Sequence, residues 1–169
     1  MSGDVSSEIR TLSVKLAKTL VGKNKTLAVA ESCTGGWLSK VLTDLPGSSE
    51  WFLGGVVSYS NAAKCKLLHV DKDSLDKFGA VSSEVAQQMA TGAQRIFSAS
   101  IALSTTGIAG PSGATAEKPV GLVHFATTTS TNLVRTEAKV LTGDRTQIRQ
   151  EAVLVALQII LRELAVSTR

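Results

Sequence analysis

Residues 28–37 read Ala28-Val29-Ala30-Glu31-Ser32-Cys33-Thr34-Gly35-Gly36-Trp37, a short apolar run followed by hydroxyl, thiol and glycine residues. The apolar run predicts a buried strand over 27–30, and the apolar spacing after the glycines predicts a helix over 34–45. Free N–H groups at the start of a helix point at whatever binds there, and glycine lets a ligand approach the backbone closely. This turn can therefore combine a nucleophile with donors for an oxyanion or a phosphate.

Beyond this turn, the hydrophobic pattern predicts an α/β fold. We predict strands over 27–30, 51–60, 100–105, 120–128 and 133–141, and helices over 4–21, 34–45, 62–68, 74–78, 84–97 and 144–164. The last two strands are rich in β-branched residues and close together, which predicts an antiparallel hairpin. The alternation of strands and helices before them predicts a three-layer α/β/α domain with a mixed, mostly parallel sheet of about five strands.

The first and last helices carry further expectations. Ser6 or Ser7 is the expected N-cap of the first helix. The last helix is apolar on more than one face, with Ile148, Val153 and Leu157 among its residues. Such a helix is either deeply buried or shared with a second subunit.

The composition is that of an ordinary globular chain. Its 169 residues, 43% hydrophobic and 19% charged, predict a single domain over 1–169. The net charge of +4 is scattered without a stripe of basic and aromatic residues, which argues against a nucleic-acid partner. No apolar run approaches the roughly 20 residues that span a bilayer, and the N-terminus lacks the pattern of a signal peptide. We therefore expect no membrane contact.

Cysteine and histidine are too few to build a framework. Cys33 and Cys65 make neither a disulfide scaffold nor a metal site, and His69 and His124 are isolated. We expect no metal and no cofactor, and a cytoplasmic location in a reducing environment.

Three loops follow predicted strand ends, after Ala30, Ser60 and Thr105. Ligands of open α/β sheets bind beyond the carboxyl ends of the strands, so these loops should converge. The third loop begins a glycine-rich segment over 105–113 whose N–H and hydroxyl groups could hold a phosphate, a ribose or a leaving group. The alternative is a surface loop before the hairpin. No Gly-Lys-Ser/Thr ends the segment, so it is not a phosphate-binding P-loop.

Ser32 is the leading candidate nucleophile, and it needs a base to remove its proton. Lys64 follows Tyr59 by five residues, and a desolvated lysine can act as a general base near neutral pH. Tyr59 would relay a proton or hold the lysine. The alternative is that Ser32 is a helix cap and Lys64 a solvated helix residue. Cys33 is a rival nucleophile if a helix N-terminus lowers its pKa, and otherwise a small buried residue.

Arg145 stands in the first turn of the last helix, where the helix dipole disfavours a cation. Either a bound anion or a salt bridge to Glu31 or Glu117 would account for it.

Seven ordered motifs extend these features over most of the chain. They are 30–36 (AESCTGG), 46–49 (PGSS), 57–61 with Lys64 (VSYSN), 79–82 (GAVS), 106–111 (TGIAGP), 117–121 (EKPVG) and 143–145 (GDR). Together they resemble the CinA C-terminal family, the nicotinamide-nucleotide amidohydrolases, over residues 6–165. The resemblance implies a three-layer α/β/α fold, commonly dimeric. It also implies hydrolysis of the carboxamide of nicotinamide mononucleotide (NMN) to nicotinate mononucleotide and ammonia, a step of pyridine nucleotide salvage.

The resemblance also implies roles for individual residues. Ser32 would be the acylated nucleophile, Lys64 the base and Tyr59 its partner. The expected substrate-binding residues are Thr34, Gly35, Gly36, Asn61, Thr105, Thr106, Gly107, Gly110 and Arg145. Backbone N–H groups near Cys33 would stabilise the oxyanion. Two other functions remain open: a non-catalytic nucleotide- or partner-binding domain of this fold, and a serine–lysine amidase acting on another amide.

Overall fold

The computed structural model describes residues 4–166. Six helices and five strands follow one another in this part of the chain. They are α1 (Val5–Gly22), β1 (Leu27–Glu31), α2 (Trp37–Thr43), β2 (Phe52–Val57), α3 (Asn61–Leu68), α4 (Lys72–Phe78), α5 (Ser83–Phe97), β3 (Ile101–Gly107), β4 (Leu122–Thr129), β5 (Val134–Val140) and α6 (Arg145–Val166), with a 3-10 turn at Ser48–Glu50. Each predicted element is present, with ends displaced by a few residues.

The five strands form one mixed sheet in the order β2-β1-β3-β4-β5. β1 runs parallel to both of its neighbours, β2 and β3. β4 is antiparallel to β3 and to β5, which confirms the hairpin. Four of the five strands therefore run in the same direction, and only β4 runs opposite to them. Of the four neighbouring strand pairs, two are parallel and two are antiparallel.

Both faces of the sheet are covered, as the alternation along β1 shows. Leu27 and Val29 belong to the apolar cluster formed with α1, α2 and α6. Ala28 and Ala30 belong to a second cluster formed with α3, α4 and α5. Because successive side chains of a strand point to opposite faces, this division places one layer of helices on each side. The predicted three-layer fold is confirmed.

α6 is buried on several sides within a single chain. Ile148, Val153, Leu157 and Ile160 are all nearly inaccessible to solvent. The helix packs along α1 and against β3 and β4. Its apolar faces are therefore explained by deep burial and require no second subunit.

Two helix N-termini are built by other residues than predicted. α2 begins at Trp37 and not at residue 34, because Gly35 and Gly36 adopt left-handed backbone conformations with φ of +59° and +93°. α1 is capped by Asp4, whose side chain accepts a hydrogen bond from the N–H of Ser6 at 3.1 Å. The cap is therefore neither Ser6 nor Ser7.

Candidate active site

The three predicted loops converge beyond the carboxyl ends of β1, β2 and β3. They enclose a cavity of about 320 Å³, which we call the strand-end cavity. Its lining includes Ser32, Tyr59, Lys64, Thr106, Gly110 and Arg145. A larger cavity of about 650 Å³ lies between α1 and α2, but its lining pairs no nucleophile with a base. The chemistry of the strand-end cavity makes it the candidate active site.

The Lys64 amine lies directly against the Ser32 hydroxyl. Lys64 Nζ donates to Ser32 Oγ at 2.9 Å and to the carbonyl oxygens of Ser58 at 2.8 Å and Tyr59 at 3.3 Å. Ser60 caps α3 by accepting from the N–H of Ala63, which places Lys64 in the first turn. Side chains of a helix lean toward its N-terminus, so the amine reaches back to the strand end.

Lys64 is buried, with 1% of its surface exposed. Burial lowers the pKa of its amine below the ordinary value, because the charged form loses hydration. In residues 4–166 no carboxylate forms an ion pair with it. The prediction of a solvated helix residue is therefore wrong, and the amine is suited to accept a proton.

Cys33 is a poor rival to Ser32. Its side chain is 6% exposed, and burial raises the pKa of the thiol to about 12. It stands before Gly36, the N-cap of α2, and not within the first turn of that helix. The hypothesis of an activated thiol is therefore wrong, and so is that of Ser32 as the helix cap.

Tyr59 and Arg145 meet at the mouth of the cavity. Arg145 donates from Nη2 to the Tyr59 hydroxyl at 2.9 Å and from Nη1 to the Gly110 carbonyl at 2.7 Å. Tyr59 is 58% exposed, and it contacts Lys64 through its carbonyl rather than through its phenol. Within residues 4–166 Arg145 has no carboxylate partner, so the predicted salt bridge to Glu31 or Glu117 is wrong.

Glu31 organises the turn between β1 and α2. Its fully buried carboxylate accepts five hydrogen bonds. The donors are Thr34 Oγ1 at 2.7 Å, the N–H groups of Gly36 and Leu38 at 3.0 Å, and the N–H and hydroxyl of Ser39 at 2.8 and 2.7 Å. A carboxylate at this place satisfies the free N–H groups of α2 and favours its dipole. An acidic residue at the end of a strand, four residues before a glycine pair and a helix start, is the sequence signal for this role.

The expected substrate-binding residues divide into two groups. Thr106, Gly107, Gly110 and Arg145 line the strand-end cavity. The others, Thr34, Gly35, Gly36, Asn61 and Thr105, are not part of its lining.

The division among the threonines follows from strand geometry. Thr105 and Thr106 point to opposite faces of β3. The Thr105 hydroxyl bonds that of Thr34 at 2.8 Å, and both side chains are fully buried. Thr106 reaches the cavity, where its hydroxyl donates to the Ala80 carbonyl at 2.7 Å. Thr34 and Thr105 therefore hold the turn together rather than face a ligand.

The glycine-rich segment over 105–113, which begins at the end of β3, contributes residues 106–110, Ser112 and Gly113 to the cavity wall. The N–H of Ile108 donates to the Leu122 carbonyl at 2.9 Å, and the N–H of Gly121 donates to the Ile108 carbonyl at 2.8 Å. These bonds fold the segment back onto β4. It is therefore part of the candidate site and more than a surface loop.

Among residues 4–166 no cluster of three or more metal-ligating side chains occurs, and no helix is long and apolar enough to cross a membrane.

Known proteins are similar to this chain in sequence and in fold. The profile of the CinA C-terminal domain matches residues 9–164. The "nicotinamide-nucleotide amidohydrolase PncC" of Escherichia coli (strain K12) is 45% identical over 152 residues, which are 90% of this chain and 92% of that protein. A competence-damage inducible protein by name, from Clostridium novyi, is 48% identical over 154 residues, but this chain spans only 37% of its length.

Solved structures agree with the sequence comparisons. The competence/damage inducible protein CihA from Agrobacterium tumefaciens superposes with a TM-score of 0.89 at 40% identity, covering 94% of this chain and 96% of its own. The competence damage-inducible protein A from Klebsiella pneumoniae gives 0.90 at 32% identity, covering 93% of this chain and 97% of its own. The profile match over nearly the whole chain and these likenesses lead to one conclusion: the chain belongs to the CinA C-terminal domain family.

Proposed function

We propose that the protein hydrolyses the carboxamide of NMN to nicotinate mononucleotide and ammonia. The observation that carries the proposal is the 2.9 Å contact between Ser32 Oγ and the buried amine of Lys64 inside the strand-end cavity. Relatives matched over more than nine-tenths of their own length, from Escherichia coli and Enterobacter agglomerans, are named nicotinamide-nucleotide amidohydrolases. Such a step would return pyridine nucleotide for use in NAD metabolism.

The first half of the reaction forms the tetrahedral intermediate on the serine. Neutral Lys64 takes the proton of Ser32, and Ser32 Oγ attacks the carboxamide carbon. The N–H groups of Gly35 and Gly36 are engaged by the Ser32 carbonyl and by Glu31. No other residue in the described part of the chain accepts a hydrogen bond from the N–H of Cys33, and Cys33 lines the cavity. We assign it as an oxyanion donor, a role that contributes about 3 kcal/mol.

The second half releases ammonia and then the acid. The C–N bond breaks as the protonated Lys64 returns its proton to the leaving nitrogen, leaving an ester on Ser32. Water then attacks the ester carbon as Lys64 takes one of its protons. The ester C–O bond breaks as Lys64 passes that proton to Ser32 Oγ, and the acid product leaves. Each step uses the same contact between amine and hydroxyl at 2.9 Å. None of the proposed reaction steps uses a metal.

Arg145 is the proposed partner of the substrate phosphate. Its guanidinium lies at the cavity mouth and is bound by two neutral acceptors, the Tyr59 hydroxyl and the Gly110 carbonyl. A phosphate forms stronger, charge-assisted hydrogen bonds and would displace one or both acceptors.

Ammonia release from NMN, nicotinamide riboside and nicotinamide tests the substrate. We expect kcat/KM for the riboside to fall about 100-fold below that for NMN, because the phosphate bonds to Arg145 are lost. Arg145→Met should lower kcat/KM for NMN by a similar factor and leave that for the riboside nearly unchanged. Binding of NMN without ammonia would support the non-catalytic domain. Turnover that is indifferent to the phosphate would support an amidase for another amide.

The pH dependence tests the base. Only the neutral amine of Lys64 accepts a proton, and burial lowers its pKa. We therefore expect kcat/KM to rise with pH and to level off below the range in which an exposed lysine titrates. The measurement is a pH–rate profile with NMN. A rate that continues to rise through the titration range of an exposed lysine would contradict a desolvated base.

A further inference from the structure

Arg149 holds the turn between β1 and α2, which carries Ser32, from outside the strand-end cavity. It stands one turn after Arg145 on α6 and is not part of the cavity lining. Its Nε donates to the Cys33 carbonyl at 3.1 Å, and its Nη2 donates to the Thr34 carbonyl at 2.9 Å. The guanidinium carbon lies 5.4 Å from the centre of the Trp37 ring, within the range of a cation–π contact. Three contacts thus tie α6 to the turn.

These contacts fix the N–H groups of the turn as well as its carbonyls. In a trans peptide the N–H points opposite to the C=O of the same plane. Holding the Thr34 carbonyl therefore aims the N–H of Gly35, which donates to the Ser32 carbonyl at 3.1 Å. Holding the Ser32 carbonyl in turn aims the N–H of Cys33, which is in the same peptide plane. The orientation of that N–H thus depends on Arg149 through two linked peptide planes.

The turn needs such an outside hold. Gly35 and Gly36 have positive φ angles, and glycine is the residue with the widest choice of backbone conformations. A Cβ added at Gly35 would lie 3.2 Å from Arg149 Nη2, so the missing side chain leaves the room that the guanidinium occupies. Gly35 therefore both makes the turn flexible and leaves room for the close approach of Arg149.

We propose that Arg149 is a positioning residue for the reaction, which keeps the N–H of Cys33 aimed at the developing oxyanion. The inference rests on the proposed function. It assigns Arg149 to transition-state stabilisation rather than to substrate binding, since its donors face the backbone of the turn. A cation on these carbonyls also polarises the linked peptides and strengthens their N–H donors.

Arg149→Met is the informative variant, since methionine keeps the apolar stem of the side chain without its donors. We expect kcat for NMN to fall about 100-fold while KM changes less than about threefold, the pattern of an interaction made in the transition state. Arg149→Lys keeps the charge but not the two-pronged donor, and should lose about tenfold. The matched control is Arg162→Met on the same helix, where the exposed Arg162 pairs with Glu137. It should keep kcat within about twofold.

A second readout separates this inference from the choice of substrate. A fluorophosphonate probe bonds its phosphorus to Ser32 Oγ with loss of fluoride, while the serine proton goes to Lys64. The phosphoryl oxygen then needs the same N–H donor, so Arg149→Met should slow labelling at least tenfold.

Each outcome of the two assays points one way. If wild-type protein labels at Ser32 but leaves NMN intact, the substrate proposal fails, and slower labelling of Arg149→Met still supports the positioning role. If folded Arg149→Met keeps kcat and the labelling rate unchanged, or only raises KM, the positioning role of Arg149 is overturned. Ammonia release by the wild-type protein would still support the proposed hydrolysis of NMN. If Arg149→Met does not fold, full activity of Arg149→Lys would overturn it. A wild-type protein that neither labels nor releases ammonia contradicts both proposals.

Discussion

Ser32→Ala and Lys64→Met are each expected to lower kcat for NMN about 10⁴-fold, and the double variant no further. The reason is that the hydroxyl and the amine act as one unit across a 2.9 Å contact. Without the amine the hydroxyl keeps its proton, and without the hydroxyl the amine has nothing to activate. Methionine is unbranched like lysine, one atom shorter and uncharged, so the variant should fold. Steady-state ammonia release from the two single variants and the double variant measures the non-additivity.

Cys33→Ala is the discriminating comparison for this prediction. Its thiol is held in the protonated form by burial, and the substitution leaves the backbone N–H in place. We expect a loss of less than about tenfold. Near-complete loss in Cys33→Ala together with activity in Ser32→Ala would move the nucleophile by one residue. Losses that multiply in the double variant would show that Ser32 and Lys64 do not act as a pair.

Glu31→Ala is expected to lower the free energy of unfolding by about 4 kcal/mol. The buried carboxylate accepts five hydrogen bonds, and its removal leaves their donors without an acceptor. Glu31→Gln keeps the shape but turns an amide N–H₂ toward backbone N–H groups, so a loss of about 2 kcal/mol should remain. Urea denaturation followed by circular dichroism gives both values.

Glu137→Gln is the matched control for the stability measurement. Glu137 is a surface carboxylate on β5 that pairs with Arg162 and with Lys139. Exposed ion pairs contribute little, so we expect a change below about 1 kcal/mol. Equal effects of the Glu31 and Glu137 substitutions would contradict the structural role assigned to the buried carboxylate.

The fold and the convergence of the three loops could be predicted from the sequence because both follow from local patterns. Alternation of strands and helices fixes the layers, and parallel strands bring their carboxyl ends to one edge. That rule was enough to predict that Ser32 and Lys64 lie near each other, which their contact confirms.

Other parts of the site depend on contacts between distant segments. Arg149 bonds carbonyls more than a hundred residues away, and no local pattern indicates which carbonyls a helix cation will meet. The Tyr59 hydroxyl turns to Arg145 rather than to Lys64 for the same reason. The predicted start of α2 is too early because the apolar spacing that marks the helix begins only after the two glycines, whose positive φ angles are not visible in the sequence pattern.

The placement of hydroxyl and amine on separate crossovers of the sheet has a consequence for the newly made chain. Ser32 follows β1 and Lys64 follows β2, so they meet only when these strands have paired. In the unfolded chain the lysine amine would remain a protonated ammonium ion, and the serine hydroxyl would have no base to activate it. The two groups are therefore unreactive in the newly synthesised chain, and only folding turns them into a nucleophile and its base.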